Sequence, residues 1–171
     1  MSSVLITIRG NSGSGKSSVA KELQRRLGSN TLLISQDMVR REMLLAKDGK
    51  GNVSLPLLTT LLKYGHEHCN YVILEGIFKA EWYIPLFKLA SETFGDNICS
   101  YYYDIPFDET LRRHETRGKK EEFGEKDMRR WWNEKDYIGV IPEKLFHEDI
   151  SLQDAVDMIC NDITGEKGVT I

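Results

Sequence analysis

The stretch Gly10-Asn11-Ser12-Gly13-Ser14-Gly15-Lys16-Ser17 decides the fold, because it satisfies G-x-x-x-x-G-K-[S/T] at every fixed position. An apolar, β-branched run at residues 4–8 leads into it. Behind it, Val19, Ala20, Leu23 and Leu27 recur at helical spacing, while Lys21, Glu22, Gln24, Arg25 and Arg26 occupy the opposite face. Strand, glycine-rich turn and helix, in that order, form the context in which this pattern cradles phosphate. The glycines accept positive φ and let the turn aim its N–H groups inward without Cβ clashes. Those amides and the positive end of the helix, roughly half a unit charge, attract phosphate oxygens. Lys16 adds a compact cation, and the Ser17 hydroxyl is a hard oxygen suited to Mg²⁺. The eight residues and the adjoining Ser18 are the candidate ATP-binding set.

Working outward, short apolar runs recur at residues 31–35, 71–74 and 98–103, with a weaker one at 144–146. Between them, helical spacing covers residues 37–46, 55–69, 79–93, 107–117, 127–135 and 151–162. Gly28 ends the first helix, and residues 48–52 (DGKGN) read as a turn. Strands that alternate with helices predict a parallel sheet covered on both faces, a three-layer α/β fold. No repeat, low-complexity tract or linker divides the chain, so residues 1–171 are expected to form one domain. Residues 117–126 (RGKKEEFGEK) break the alternation with charge and two glycines. They read either as a solvated loop or, with Arg113, Arg117, Arg129 and Arg130 around them, as part of a lid spanning residues 117–136.

Composition narrows the functional classes. Of 171 residues, 40% are hydrophobic and 29% charged, with a net charge of −3. That is enough apolar material for one core, and the negative balance argues against long nucleic acids as partners. Cys69, Cys99 and Cys160 are odd in number and far apart, which excludes a disulfide framework or a CxxC zinc site. No apolar run approaches the roughly 18 residues of a membrane span, and no basic segment precedes the first one. The expectation is a soluble, reduced, cytoplasmic protein, monomeric or homodimeric. His66-Glu67-His68 lacks metal-ligand spacing and reads as a solvated helix end. A GTPase would carry N-K-x-D, which is missing, and Asp136-Tyr137-Ile138-Gly139 fits D-x-x-G only by chance of position.

Three segments, in this order, resemble the P-loop kinases of small molecules and nucleic-acid ends. That group includes chloramphenicol phosphotransferase, the zeta-toxin kinases, polynucleotide 5′-kinase and the gluconate and shikimate kinases. The first segment is the phosphate loop. The second is Leu32-Leu33-Ile34-Ser35-Gln36-Asp37-Met38-Val39-Arg40, a strand followed by D-x-x-R. The third is Tyr71-Val72-Ile73-Leu74-Glu75-Gly76, a strand ending in an acid and glycine, like a Walker B strand with Glu in place of the usual Asp.

The resemblance implies a P-loop NTPase fold, a five-stranded parallel sheet of order 2-3-1-4-5 with a helical lid, and ATP-dependent phosphoryl transfer to a hydroxyl. Asp37 becomes the general base, a role that capping its own helix does not exclude. Arg40, or Arg41 in its stead, becomes the acceptor contact. Glu75 reaches Mg²⁺ through water or touches the acceptor. Tyr103-Asp104-Ile105-Pro106-Phe107 is similar to the turn before the lid helix, where Arg117, or Arg113 as second choice, supplies charge to the transferred group.

The acceptor is expected to be a small molecule such as a nucleoside, sugar or antibiotic-like compound, or a nucleotide. A polynucleotide 5′-hydroxyl kinase and a non-catalytic nucleotide-binding module are the alternatives. Trp131 and Trp132 read as a ring-stacking pair or as core and lid packing. Trp82, Tyr83 and Phe87 read as core and acceptor-pocket wall.

Overall fold

The computed structural model describes residues 2–116 and 122–165. Five strands make one parallel sheet: β1 (Val4–Gly10), β2 (Thr31–Ser35), β3 (Tyr71–Gly76), β4 (Ile98–Tyr103) and β5 (Lys144–Phe146). Their spatial order is β2-β3-β1-β4-β5, the order that the resemblance implies. Among the described residues six α-helices accompany them: α1 (Lys16–Leu27), α2 (Ser54–His68), α3 (Ala80–Phe94), α4 (Phe107–Glu115), α5 (Glu125–Trp131) and α6 (Leu152–Thr164). A π-helical turn at Met38–Met43 lies between β2 and α2.

The strand pleat sorts the apolar residues into two cores. Leu5, Val72 and Leu74 face Leu58 and Leu62 of α2 and Leu86, Phe87, Ala90 and Phe94 of α3. On the opposite face, Ile6, Ile8 and Ile73 meet Val19, Ala20 and Leu23 of α1 and Ala155, Val156 and Ile159 of α6. Because successive residues point to opposite faces, a strand covered on both sides is apolar throughout, which is why β1 reads as a continuous run. Helix α1 ends where Gly28 turns to φ 80°, a conformation that favours glycine.

Parallel pairing aligns the strand ends. Glu75 stands opposite Ile8 of β1 and Ser35 of β2. The residues that follow β1 and β2 therefore emerge at the same carboxyl edge that carries Glu75, where open α/β sheets bind ligands.

The expected helix over residues 37–46 is corrected. The chain forms the π-helical turn instead, and Leu45 beyond it is 87% exposed with φ 50°. Among the described residues, no helix is long and apolar enough to cross a membrane.

Candidate active site

Between β1 and α1 the phosphate loop turns through Gly13 at φ 81° and Gly15 at φ 103°, so that Gly15 caps α1 in a left-handed conformation. No acidic residue lies in the first turn of α1, and the positive end of its dipole is not offset there. The buried Lys16 donates from Nζ to the Asn11 carbonyl at 3.2 Å, folding its charge over the loop. Ser14 Oγ is buried within the loop with no hydrogen-bond partner among the described residues. An unmatched hydroxyl beside convergent amides fits a loop built to bind phosphate oxygens.

Glu75, 5% exposed at the end of β3, accepts a hydrogen bond from Ser17 Oγ at 3.2 Å. The longer arm of Glu thus reaches the loop serine directly. A hydroxyl and a carboxylate at this separation are two hard oxygen donors of the kind Mg²⁺ takes.

Asp37 follows β2 with its carboxylate 60% exposed. It does not cap the turn it begins, since its side chain accepts no backbone N–H there. Its partners are Arg40 at 3.2 Å and Arg41 at 3.6 Å. The π-helical turn, marked by the bond from the Leu44 amide to the Val39 carbonyl, brings both arginines round to one carboxylate oxygen. Arg41 also lies over the ring of Trp131, 5.7 Å from its centroid, and so links this turn to α5.

Next to Asp37, a polar layer ties the end of β2 to the residues after β3. The buried Gln36 accepts from the Phe78 amide at 2.9 Å and donates to Asp48 at 3.2 Å. Tyr83 donates to the other oxygen of Asp48 at 2.6 Å. Burial first, and then Asp48, pushes the Tyr83 phenol above its ordinary pKa, which keeps it a donor. Tyr83 and Phe87 belong to the core, as expected, with Trp82 half-buried beside it.

Arg113 of α4 donates to the Ser14 carbonyl at 2.7 Å, the Glu148 carbonyl at 2.8 Å and Glu109 at 2.8 Å. Arg112 and Arg113 together hold the Glu109 carboxyl down to about 2. Arg113 is therefore bound to the backbone of the phosphate loop. Arg117 lies outside the described residues, as do 118–121 of the expected lid. Arg129 and Arg130 pair with Glu125 and Asp127 on their own helix. Neither Trp131 nor Trp132 enters the core. Trp131 packs on Phe123 and Trp132 on Phe107. Among the described residues no group of His, Cys, Asp or Glu could hold a metal ion by itself, His66, Glu67 and His68 included.

Beside the loop lies an open cleft of about 220 Å³ lined by Ser14, Gly15, Ser18, Val19, Arg113 and Leu152. It adjoins the phosphate loop on the α6 side of the sheet.

Two side chains of the site have partners that no motif announces. Arg9, fully buried at the end of β1, binds Glu143 at 2.8 Å, the Asp136 carboxylate at 3.2 Å and the Phe78 carbonyl at 2.8 Å. The Asp136 of the chance D-x-x-G is thus the partner of Arg9, and it also accepts from the Ala80 amide at 2.9 Å. The Asn11 side chain pairs with the backbone of Asn133 at 2.7 and 2.8 Å. An arginine inside an apolar strand is the signal that announces a buried acid partner.

Residues 5–137 match the model of the AAA domain family (AAA_33). No curated protein matches the sequence. A gluconokinase from Sinorhizobium meliloti 1021 is similar in structure at 14% identity, TM-score 0.66, with 96% of this chain and 98% of that chain covered. The Mycobacterium tuberculosis APS kinase CysC, in complex with AMPPNP and APS, is similar at 18% identity, TM-score 0.66, over 96% and 99% of the two chains. Shikimate kinase from Acinetobacter baumannii, in complex with shikimate, is similar at 16% identity, TM-score 0.59, over 96% and 95%.

Proposed function

This chain belongs to the AAA domain family, and on that premise we propose that it is a kinase moving the terminal phosphoryl group of ATP to a hydroxyl of a small molecule. What supports the reading is the order in which adjacent strands deliver three different groups. The phosphate loop follows β1, Glu75 ends the neighbouring β3, and Asp37 follows β2 beyond it. A phosphate loop alone indicates polyphosphate binding. A metal-binding pair next to it, and a solvent-facing carboxylate one strand further, add the requirements of transfer to an acceptor.

The loop amides and Lys16 would hold the phosphates, and the cleft lined by Val19, Arg113 and Leu152 would take the nucleoside. Ser17 and Glu75 would hold Mg²⁺, which neutralises phosphate charge when bound. Asp37 orients the acceptor hydroxyl and accepts its proton, with Arg40 and Arg41 beside it to contact the acceptor.

The test is phosphate transfer from labelled ATP to a panel holding gluconate, shikimate, nucleosides and a 5′-hydroxyl oligonucleotide. Product is expected with a small acceptor. Lys16→Ala should abolish it, and Asp37→Asn should slow turnover by roughly 10²–10⁴-fold while ATP binding persists. Near-normal turnover in Asp37→Asn removes the base assignment. Product on the oligonucleotide alone makes the protein a polynucleotide kinase. ATP binding without any phosphorylated acceptor makes it a binding module.

A further inference from the structure

The phosphate loop is held from its far side by the segments around α4 and α5. Asn11, 6% exposed, donates from Nδ2 to the Asn133 carbonyl at 2.7 Å and accepts at Oδ1 from the Asn133 amide at 2.8 Å. The backbone amide can only donate, so this pairing fixes which amide atom of Asn11 is oxygen. Asn133 in turn donates to the Trp131 carbonyl at 2.9 Å. On the other side, Arg113 of α4 holds the Ser14 carbonyl at 2.7 Å. Between these ties sits Gly13. A Cβ there would stand 2.6 Å from the Thr110 carbonyl of α4 and 3.1 Å from the Met128 methyl of α5. Loop residues 11, 13 and 14 thus each meet the α4–α5 arm.

We infer that Asn11 is a positioning residue that couples the phosphate loop to this arm, so that a nucleotide on the loop shifts Trp131 and Trp132. The inference rests on the proposed nucleotide binding. The Asn11 carbonyl is one partner of Lys16 Nζ. A polyphosphate competes for that ammonium, because an anion binds a cation more strongly than a neutral carbonyl does. When Lys16 turns to phosphate, the Asn11 carbonyl loses that donor and keeps the longer bond from the Ser14 amide at 3.3 Å, so its peptide is freer to move. Two short hydrogen bonds between one side chain and one backbone residue transmit both translation and rotation. The movement therefore reaches Asn133, adjacent to Trp132, and through its side-chain bond the carbonyl of Trp131. A side chain spent in this way is withdrawn from the ligand, so its removal acts on the arm more than on affinity.

The chain has three tryptophans, and replacing Trp82 by Phe leaves emission from Trp131 and Trp132 alone. In Trp82→Phe protein, saturating Mg²⁺–ATP is expected to change that emission, with binding recorded in parallel by calorimetry. In the Asn11→Ala/Trp82→Phe double variant, ATP should bind within about threefold of the parent while most of the emission change is lost. For phosphoryl transfer, kcat should fall about tenfold with KM for ATP nearly constant, the size expected for one buried hydrogen-bonded contact. Asn11→Asp, isosteric but with an oxygen facing the Asn133 carbonyl, should give the same loss if the alanine variant folds poorly. An emission change retained in either variant overturns the coupling, as does its absence in the parent while calorimetry records binding. No binding in the parent overturns the nucleotide reading and the coupling with it.

Discussion

Replacing Arg9 by Met tests whether the buried ion pair holds the site together. The Arg9 side chain is fully buried, and that of its partner Glu143 is 3% exposed at 2.8 Å. Its guanidinium also bonds the Asp136 and Phe78 carbonyls, each at 2.8 Å, between the rings of Phe87 and Tyr102. Methionine fills much of the volume but leaves the Glu143 carboxylate with the Ile138 amide at 2.8 Å and no cation. Phe78, at φ 42°, would also lose the contact on its carbonyl. Removing one partner of a buried pair costs about 3–5 kcal/mol. At this chain length each kcal/mol lowers Tm by about 2–4 °C, so a fall of about 6–20 °C is expected. Urea unfolding followed by far-UV circular dichroism, with an unchanged slope, measures the same loss. Arg9→Met/Glu143→Leu, which removes both charges, should recover most of it, since an apolar pair often replaces a buried salt bridge at little cost. Asp136 remains 20% exposed and bonded to the Ala80 amide, so it tolerates the change. A single variant within about 1 kcal/mol of the parent, or a double variant no better than the single, refutes the argument.

Gly13→Ala forces a side chain into left-handed backbone and within 2.6 Å of the Thr110 carbonyl. It should cost at least about 1–2 kcal/mol from the backbone alone and weaken ATP binding; unchanged values in thermal unfolding and calorimetry would contradict this. Glu109 has its folded pKa lowered from 4.5 to about 2 by Arg112 first and then Arg113. A depressed carboxyl contributes stability above its unfolded pKa and loses it as pH falls through the folded value. The stability difference between parent and Glu109→Gln should therefore be constant above about pH 5 and shrink between about 4.5 and 2, as read from urea midpoints across pH. A difference that grows on acidification has the wrong sign for this pair.

The legible parts of the molecule are those whose cause is local. Strands β2 and β4 match their expected bounds because an apolar run between turn signals needs no distant information. The loop at residues 10–17 is legible for the same reason: its glycines, its lysine and the helix behind it are contiguous. The turn after β2 reads as an α-helix in the sequence because Met38, Val39, Met43 and Leu44 carry helical spacing, and hydrophobic spacing does not separate an α turn from a π turn. Arg9 and Asn11 were opaque because their partners lie 134 and 122 residues further along the chain. Asn11 sits at a variable position of the phosphate-loop pattern, and the tie of its side chain to Asn133 is set by tertiary structure alone.

That contrast explains how the proposed donor and acceptor halves of the site are built. The donor half stands on β1 and β3, two central strands whose flanks are buried on both faces, and its polar groups are held by short contacts such as Ser17–Glu75. The acceptor half stands beyond β2, an edge strand, on a turn with exposed Met38, Met43, Leu44 and Leu45. Substitutions there meet solvent and not core, so they change what fits against Asp37 at little cost to the fold. Gln36 and Asp48 bridge the two halves, binding the acceptor turn to Phe78 just beyond β3 and to Tyr83 on α3. The carboxylate of Asp37 is thereby anchored to the rigid sheet through its neighbour, while the side chains around it are free to differ. On the proposed reading, a constant chemistry with a changeable acceptor follows from putting the first half inside the sheet and the second on its rim.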